Sequence, residues 1–409
     1  MRILFISDFF LPSLGGVERI LADLSRELVR NGHRVLVLTQ KLDAASPGEE
    51  RAGGIDVVRF PVDRRNTIAH YGSAAAGSKI EFERALERFR PDRIHSHLTL
   101  SSFFLLSAIG RSGIPLIQTF YGPWYAEYVF QSRRLGAWGR MPVWKTALLP
   151  VWRPPMAAVM YVMQRKVLRS ASRIITLSRF SLSWLGKFGI DPSSPRVQVI
   201  PGGVRLEVFS PGEGPEAARD KLGLSSKTRV IFTLRRLVPR MGLEALIRAI
   251  PLVRQRHRES VTLLIGGEGP LRASLSGLVR ELHLEDSVRL LGRVPEELLA
   301  DYYRASDLVV LPTLAHENFG LPVVESWACG APVVAVSQGS LRELLASRMP
   351  EYLAQQATPE ALSEKIRFAL ERPDRTGVRE RCVRLAREFG WSEIGPRYEN
   401  LYRQAAPGM

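Results

Sequence analysis

His316-Glu317-Asn318-Phe319-Gly320-Leu321-Pro322-Val323-Val324-Glu325 lies between two apolar runs, Asp307-Leu308-Val309-Val310-Leu311 before it and Ala331-Pro332-Val333-Val334-Ala335-Val336 after it. Each run is short and continuous, the pattern of a strand buried on both faces. Leu321 to Cys329 has the length of a short helix, and Gly330 stands where a C-terminal glycine belongs. Strand, loop, helix, strand is the repeating unit of a parallel α/β sheet, where ligands bind outside the carboxyl ends of the strands. Glu317 falls on that loop and Glu325 two turns into the helix. The backbone N–H groups of Asn318, Phe319 and Gly320, followed by Leu321 as the first helical residue, open toward whatever lies between the two carboxylates. A helix N-terminus favours an anion such as phosphate. Carboxylates flanking an anion site suit a ligand with hydroxyls at both ends and phosphates in the middle, the layout of a nucleotide sugar. Alone, Glu317 is an ordinary loop charge and Glu325 an ordinary solvated helix residue. Among Val323, Val324, Trp327 and Ala328, however, a buried carboxylate at 325 requires a partner. A zinc-binding His-Glu-x-x-His is excluded, because Gly320 stands where the second histidine belongs.

The bulk properties narrow the setting. A chain of 409 residues is comfortable for two domains. Hydrophobic content of 45% and charged content of 24% are ordinary for a globular protein. The charge is not: 57 basic against 41 acidic residues give +16. This points to anionic partners, either phosphorylated substrates, nucleic acid or an anionic membrane surface. Cys329 and Cys382 offer neither a disulfide framework nor a zinc set, so a reducing cytoplasm is expected. Asp8 interrupts the first apolar run, so no signal peptide is expected, and no apolar run reaches the ~20 residues of a membrane span.

Taken in order, Arg2 to Asp8 reads as a first strand, Val17 to Asn31 as a helix with Ile20, Leu21, Leu24 and Leu28 on one face, and Arg34 to Thr39 as a second strand. Gly15 and Gly16 precede the helix, where a phosphate can approach the backbone closely. Gly-x-Gly-x-x-Gly is absent, which disfavours a dinucleotide cofactor. Strands at 55–60, 93–97, 115–119, 173–177 and 197–200, with helices at 79–90 and 101–111, complete a first sheet. His95 and His97 lie two apart on one strand and face one side. A structural role is expected for one, and a position at the strand's carboxyl end for His97. Gly122 to Lys166 interrupts the alternation, with Trp124, Trp138, Trp144 and Trp152 among Arg133, Arg134, Arg140, Lys145, Arg153, Arg165 and Lys166, divided by Pro142, Pro150, Pro154 and Pro155. Tryptophan mixed with basic residues is the composition of an interfacial anchor. The expected partner is an anionic membrane surface at the inner face of the cell membrane, bound peripherally. Nucleic acid is not expected, since no recognised motif accompanies the charge.

The Pro/Gly-rich stretch from Pro201 to Pro215 reads as a linker. It divides the chain into a first domain at 1–200, the linker at 201–215 and a second domain at 216–388, with a closing helix at 389–409. The second domain opens with a strand at 229–234. Arg235-Arg236-Leu237-Val238-Pro239-Arg240-Met241-Gly242 follows, and its arginines make a phosphate clamp before a helix to Arg256. Strands at 261–265 and 288–291 come next, the latter leading to Arg293 and Val294. A helical region spans Glu360 to Phe389, and Ser392 stands as N-cap of a last helix.

Glu317 and Glu325 with seven residues between them, followed by Cys329-Gly330-Ala331-Pro332-Val333-Val334, resemble the signature of the family 4 retaining glycosyltransferases, the glycosyl transferases group 1. The resemblance implies the GT-B fold: two Rossmann-like, doubly wound α/β domains facing across a cleft, with a C-terminal helix crossing back to the first domain. It extends to Gly15-Gly16-Val17-Glu18, whose glycines face the donor diphosphate, and to Pro201-Gly202-Gly203-Val204 at the domain boundary. It implies that Arg236 contacts the diphosphate, that the backbone at Arg293 and Val294 meets the nucleobase, that Glu317 holds sugar hydroxyls and that Glu325 holds the ribose. His97 and Trp124 then fall on the acceptor side.

Two positions depart from the family. The clamp lysine is Met241, which leaves neighbouring Arg240 to supply the charge. In Thr119-Phe120-Tyr121-Gly122-Pro123-Trp124 the family's histidine is Tyr121, whose hydroxyl can still donate a hydrogen bond. The catalytic set is therefore Arg236, Arg240, Glu317 and Tyr121. No Asp-x-Asp occurs, so metal-independent transfer from a nucleotide-diphosphate sugar is expected, without a cofactor. The expected acceptor is a lipid-linked glycan or another membrane-associated glycoconjugate. The rival readings are a non-catalytic nucleotide- or glycan-binding relative, and an epimerase or phosphorylase on the same fold.

Overall fold

The computed structural model describes residues 1–12, 15–43, 45–137, 143–255 and 259–405, with only the backbone described at 133–137 and 143–153. The chain forms two compact units. One comprises Met1–Tyr128, Leu149–Gly203 and Trp391–Met409, the other Val129–Leu148 and Val204–Gly390.

The first unit holds an eight-stranded sheet: β1 (Arg2–Ile6), β2 (Arg34–Gln40), β3 (Glu49–Ala52), β4 (Ile55–Phe60), β5 (Arg93–Ser96), β6 (Leu116–Phe120), β7 (Arg173–Thr176) and β8 (Val197–Val199). The spatial order is β3-β4-β2-β1-β5-β6-β7-β8. Neighbours run parallel except the β3–β4 pair. The helices are α1 (Gly16–Arg30), α2 (Thr67–Arg88), α3 (Thr99–Ser112), α4 (Trp124–Ala137), α5 (Val143–Ser170) and α6 (Arg179–Ser183). The apolar face of α1, from Ile20 to Leu28, is buried as its spacing requires. Leu4, Ile6, Leu36, Leu38, Phe82, Ile94 and Phe120 meet in one core. Each such side chain contributes about 1.5–3 kcal/mol by leaving water.

The second unit repeats the architecture with β9 (Thr228–Leu234), β10 (Ser260–Gly266), β11 (Val288–Gly292), β12 (Leu308–Leu311), β13 (Val333–Val336) and β14 (Leu353–Ala354), in the order β11-β10-β9-β12-β13-β14. Its helices are α7 (Pro215–Leu222), α8 (Leu243–Arg254), α9 (Arg272–Glu281), α10 (Glu296–Ala305), α11 (Leu321–Ala328), α12 (Ser340–Ala346), α13 (Pro359–Leu370) and α14 (Arg375–Arg387). In both sheets the strand order reverses beside the first strand of the unit, between β1 and β5 and between β9 and β12. Those are the places where this topology opens a crevice at the carboxyl ends.

The last helix, α15 (Trp391–Gln404), belongs to the first unit. Tyr398 and Tyr402 on it are fully buried. Arg93 Nε donates to the Tyr402 carbonyl at 2.7 Å, and Asn31 Nδ2 to Glu399 at 2.7 Å. The GT-B architecture, with its returning C-terminal helix, is thus the one the sequence resemblance implied.

Several local expectations change. The helix expected at 79–90 begins twelve residues earlier, at Thr67, where the Asn66 side chain accepts from Ala69 N at 2.9 Å. The region 360–389 divides into α13 and α14 around Pro373, which cannot continue a helix hydrogen-bond ladder. Ser392 is not an N-cap, because α15 starts one residue before it. The 122–166 stretch is mostly helical, α4 and α5, and the latter runs on through Pro154 and Pro155. The 201–215 stretch, read as the linker, is held by specific contacts. Val204 N donates to the Phe389 carbonyl at 2.8 Å, Phe209 is buried, and Arg304 donates to the carbonyls of Val208 and Ser210. Among the described residues no helix is long and apolar enough to cross a membrane.

Candidate active site

The second unit's site forms where β9 and β12 end. Arg235 and Arg236 follow β9, and Thr313 to Gly320 follow β12. Gly242 locks the two loops together: its φ is +69°, and an added Cβ would strike the Pro312 carbonyl. Only glycine fits such a left-handed, backbone-tight position. Beyond it, Leu314 N donates to the Arg240 carbonyl at 2.8 Å, and Arg240 Nη1 to the His316 carbonyl at 3.3 Å. Arg240 is buried against the 313–317 loop, and Met241 is buried beside it. Arg236 is exposed.

Glu317 is the centre of this loop. Its Oε2 lies 2.9 Å from Arg235 Nη1 and accepts from Thr313 Oγ1 at 3.3 Å. Its carbonyl accepts from both Ser340 N and Ser340 Oγ at 3.1 Å, which ties the loop to the start of α12. Asn318 turns its side chain back to the His316 carbonyl at 3.2 Å. Gly320 is the N-cap of α11 with φ +87°, and a Cβ there would press on Leu341. Phe319 is buried and packs near Phe389, with ring centroids 6.0 Å apart.

Glu325 is 1% exposed, and the partner that its burial demands includes Tyr303, whose hydroxyl donates to Oε2 at 2.8 Å. Arg293 and Val294 follow β11, and Val294 lies against Gly266. The loops after β9, β10 and β11 are laced by backbone bonds from Arg235 N to Gly266 O, Leu237 N to Glu268 O and Gly267 N to Gly292 O, at 2.9, 2.9 and 2.7 Å.

In the first unit the candidate residues again sit at carboxyl ends. Gly15 caps α1 in an extended conformation, and an added Cβ would strike the Glu18 carboxylate. A Cβ on Gly16 would meet open space. His97 follows β5 and Tyr121 follows β6. His97 Nδ1 and the Tyr121 hydroxyl are 2.7 Å apart. His97 Nε2 is buried with no partner among the described residues. Burial drives the His97 imidazole down to about 3, so it is neutral near pH 7. Burial, with smaller contributions from Tyr398, Glu18 and Tyr402, raises the Tyr121 hydroxyl well above its ordinary value. Tyr121 is therefore an un-ionised hydroxyl held by a neutral imidazole.

His95 has the structural role expected of one member of the pair, bridging Tyr402 Oη and Thr119 Oγ1 at 2.8 Å each. Trp124 opens α4, its N–H donating to Gln164 Oε1 at 3.0 Å, while Gln164 Nε2 donates to the Gly122 carbonyl at 2.8 Å.

Arg235, expected among the clamp arginines, is instead paired with Glu317, and sequence reading missed Tyr303, Gln164 and the buried Asp8. Asp8 accepts from Leu100 N, Ser101 N and Ser101 Oγ at 3.1, 2.8 and 2.5 Å and so secures the start of α3. A signal existed only for Asp8, a carboxylate ending an apolar strand. The side chains of Arg133, Arg134, Trp138, Arg140, Trp144, Lys145, Trp152 and Arg153 lie outside the described residues.

The chain is similar to known proteins over nearly its whole length. The family described as glycosyl transferases group 1 matches residues 215–389, and that described as glycosyltransferase family 4 matches residues 14–208. The D-inositol 3-phosphate glycosyltransferase of Thermobispora bispora is 30% identical, over 96% of this chain and 90% of its own. That of Kineococcus radiotolerans is 29% identical, over 96% and 91%. Sucrose-phosphate synthase from Thermosynechococcus elongatus superposes with a TM-score of 0.81 at 22% identity, covering 98% of both chains. Anabaena HepE in complex with UDP-glucose superposes with a TM-score of 0.74 at 21% identity, covering 98% of this chain and 100% of its own. With the two glutamates set at the carboxyl ends of a doubly wound sheet, the chain belongs to the family 4 glycosyltransferases and is a nucleotide-sugar-dependent glycosyltransferase of GT-B fold.

Proposed function

We propose that the protein transfers a sugar, with retention of configuration, from a nucleotide-diphosphate donor held by the second unit to an acceptor held by the first. The observation that carries the donor side is the convergence of Arg235, Arg240, Glu317 and the start of α11 at the β9/β12 switch point. The leaving group gains negative charge as the glycosidic bond breaks, and catalysis requires that charge to be met by donors already in place. Arg236, Arg240 and the opening of α11 at Phe319-Gly320-Leu321 fill that role. Glu317 takes sugar hydroxyls, Glu325 the ribose, and the backbone at Arg293 and Val294 the nucleobase. This reading assigns the diphosphate charge to protein groups and needs no metal ion, so activity is expected to survive EDTA. On the acceptor side, Tyr121 and His97 offer a hydrogen-bonded pair for a hydroxyl, with Trp124 alongside.

The acceptor in this reading is lipid-linked and presented at an anionic membrane surface, in glycoconjugate or polysaccharide assembly. The support among described residues is the outer face of α5. Val159 and Val162 are 46% and 47% exposed, and Lys166 and Arg169 continue the same face toward the helix end. The names of the relatives favour a second reading, a soluble phosphorylated polyol such as D-inositol 3-phosphate, and the excess of basic residues is compatible with either. Incubation with radiolabelled nucleotide sugars, with D-inositol 3-phosphate and with a lipid extract in separate arms distinguishes them. Proton NMR of the product then reads the anomeric configuration, and an inverted product defeats the retaining mechanism.

A further inference from the structure

Arg235 is a buried cation that the functional reading leaves only partly used. Its side chain is 5% exposed, and Nη1 is engaged by Glu317 Oε2 at 2.9 Å. Nε and Nη2 are both buried and have no acceptor among the described residues. These two nitrogens form one edge of the guanidinium plane. Their N–H bonds run side by side at the spacing of two oxygens on a single carboxylate or phosphate. Buried charged donors without acceptors are disfavoured, so an edge of this kind in a ligand crevice points to a ligand oxyanion. Thr233 Oγ1, two residues earlier on the same extended backbone and so on the same face, is also fully buried with no partner among the described residues. The Arg235 N–H to Gly266 carbonyl bond continues the β9–β10 ladder and fixes where the side chain starts.

We propose that Arg235 is a donor-specificity residue whose unspent edge takes an oxyanion at the sugar end of the donor. The source is the carboxylate of a nucleotide-linked uronic acid; the distal phosphate of the donor is the other group with the same chemistry. The proposal rests on the reading of Glu317 as the residue that holds sugar hydroxyls. Arg235 shares its position through the 2.9 Å ion pair, whereas the diphosphate already has Arg236, Arg240 and the α11 opening. One guanidinium then bridges two carboxylates, Glu317 on Nη1 and the sugar's on Nε and Nη2, with Arg236 and Arg240 adding positive charge nearby.

The test is calorimetric binding by the full-length protein. UDP, GDP and ADP first establish the nucleobase. The preferred nucleoside diphosphate, its glucosyl ester and its glucuronosyl ester are then titrated into wild type, Arg235→Gln and Arg235→Lys. Arg235→Lys keeps a charge for Glu317 but lacks the planar fork, and it guards against a glutamine variant that fails to fold. Expected in both variants is a loss for the glucuronosyl ester at least about tenfold greater than the loss for the glucosyl ester, which weakens only as far as Glu317 is disturbed. Equal loss for all three ligands in folded variants assigns the edge to the distal phosphate. Unchanged binding of all three overturns the proposal. A wild type that binds none of the three nucleoside diphosphates defeats the donor-site reading beneath it, which is a separate result.

Discussion

Arg236 and Arg240 start from the same loop and finish in different surroundings. Arg236 is exposed, whereas Arg240 is buried with Nη1 on the His316 carbonyl. Truncation is therefore expected to act differently at the two positions. Arg236→Ala removes a charge that strengthens as the diphosphate leaves, so kcat falls by about 10²-fold while donor affinity changes little. Arg240→Ala also removes packing and a hydrogen bond to the 313–317 loop, so the melting temperature falls with kcat. Steady-state kinetics and thermal unfolding of the two variants separate these outcomes. An Arg240→Ala protein with unchanged kinetics would return the clamp to Arg236 and α11 alone. His97 supplies a pH prediction. Its folded value of about 3 lies below the ordinary 6.5 because of burial. Between those values the unfolded chain binds a proton that the folded chain does not, so stability is full above pH 6.5 and falls as the pH drops. One such histidine costs about 2 kcal/mol by pH 5, and His95 is shifted in the same direction. Denaturant unfolding from pH 7 to 5 is expected to show this slope, and His97→Asn to reduce it. An unaltered slope in that variant would show that His97 titrates normally.

At the scale of elements, the glycines that open α1 and α11 make different predictions despite similar positions. Gly16 is the first residue of α1 and has free space where a Cβ would go. Gly16→Ala is therefore expected to fold at least as stably as wild type, alanine being the better helix former. Any loss of donor use then reports close approach of a ligand rather than a damaged fold. Gly320 has φ +87° and Leu341 against its missing side chain, so Gly320→Ala is expected to cost about 1–2 kcal/mol of stability as well as activity. Melting curves paired with donor binding tell the two cases apart. The same elements show what was legible in the sequence. Strands β12 and β13 were readable because they are buried on both faces and carry uninterrupted apolar runs. The opening half of α2 was not, since Thr67 to Ser78 is rich in alanine, glycine and serine and lacks an apolar period; the Asn66 cap was its one local sign. β3 is a charged edge strand with little to bury. Glu317 and Glu325 were visible through their spacing around a helix start. Arg235 on Glu317, Tyr303 on Glu325 and Gln164 on the 122–124 turn were not, because each joins elements that are remote in sequence and meet only once the sheets have formed.

For the whole molecule, the excess of basic residues is a property that neither sheet explains. A charge of +16 attracts anionic partners at a distance, and the exposed face of α5 gives that attraction a place to end. Val159 and Val162 bring apolar surface to a headgroup layer, while Lys166 and Arg169 each add about 1 kcal/mol on an anionic bilayer. Reversible binding to anionic vesicles is therefore expected. Sedimentation with phosphatidylglycerol-containing liposomes should capture the protein increasingly as anionic content rises, and release it as salt shortens the reach of the charges. Lys166→Gln with Arg169→Gln should weaken capture, and Val159→Ser with Val162→Ser should weaken it independently of salt. All four side chains belong to the first unit, so nucleotide-sugar binding by the second should be unchanged in each variant. A wild type that stays in the supernatant with anionic liposomes at low salt would remove the membrane from the proposal. The soluble phosphorylated polyol would then be the acceptor to pursue, and the basic residues would act by drawing that polyol and the donor diphosphate to the protein.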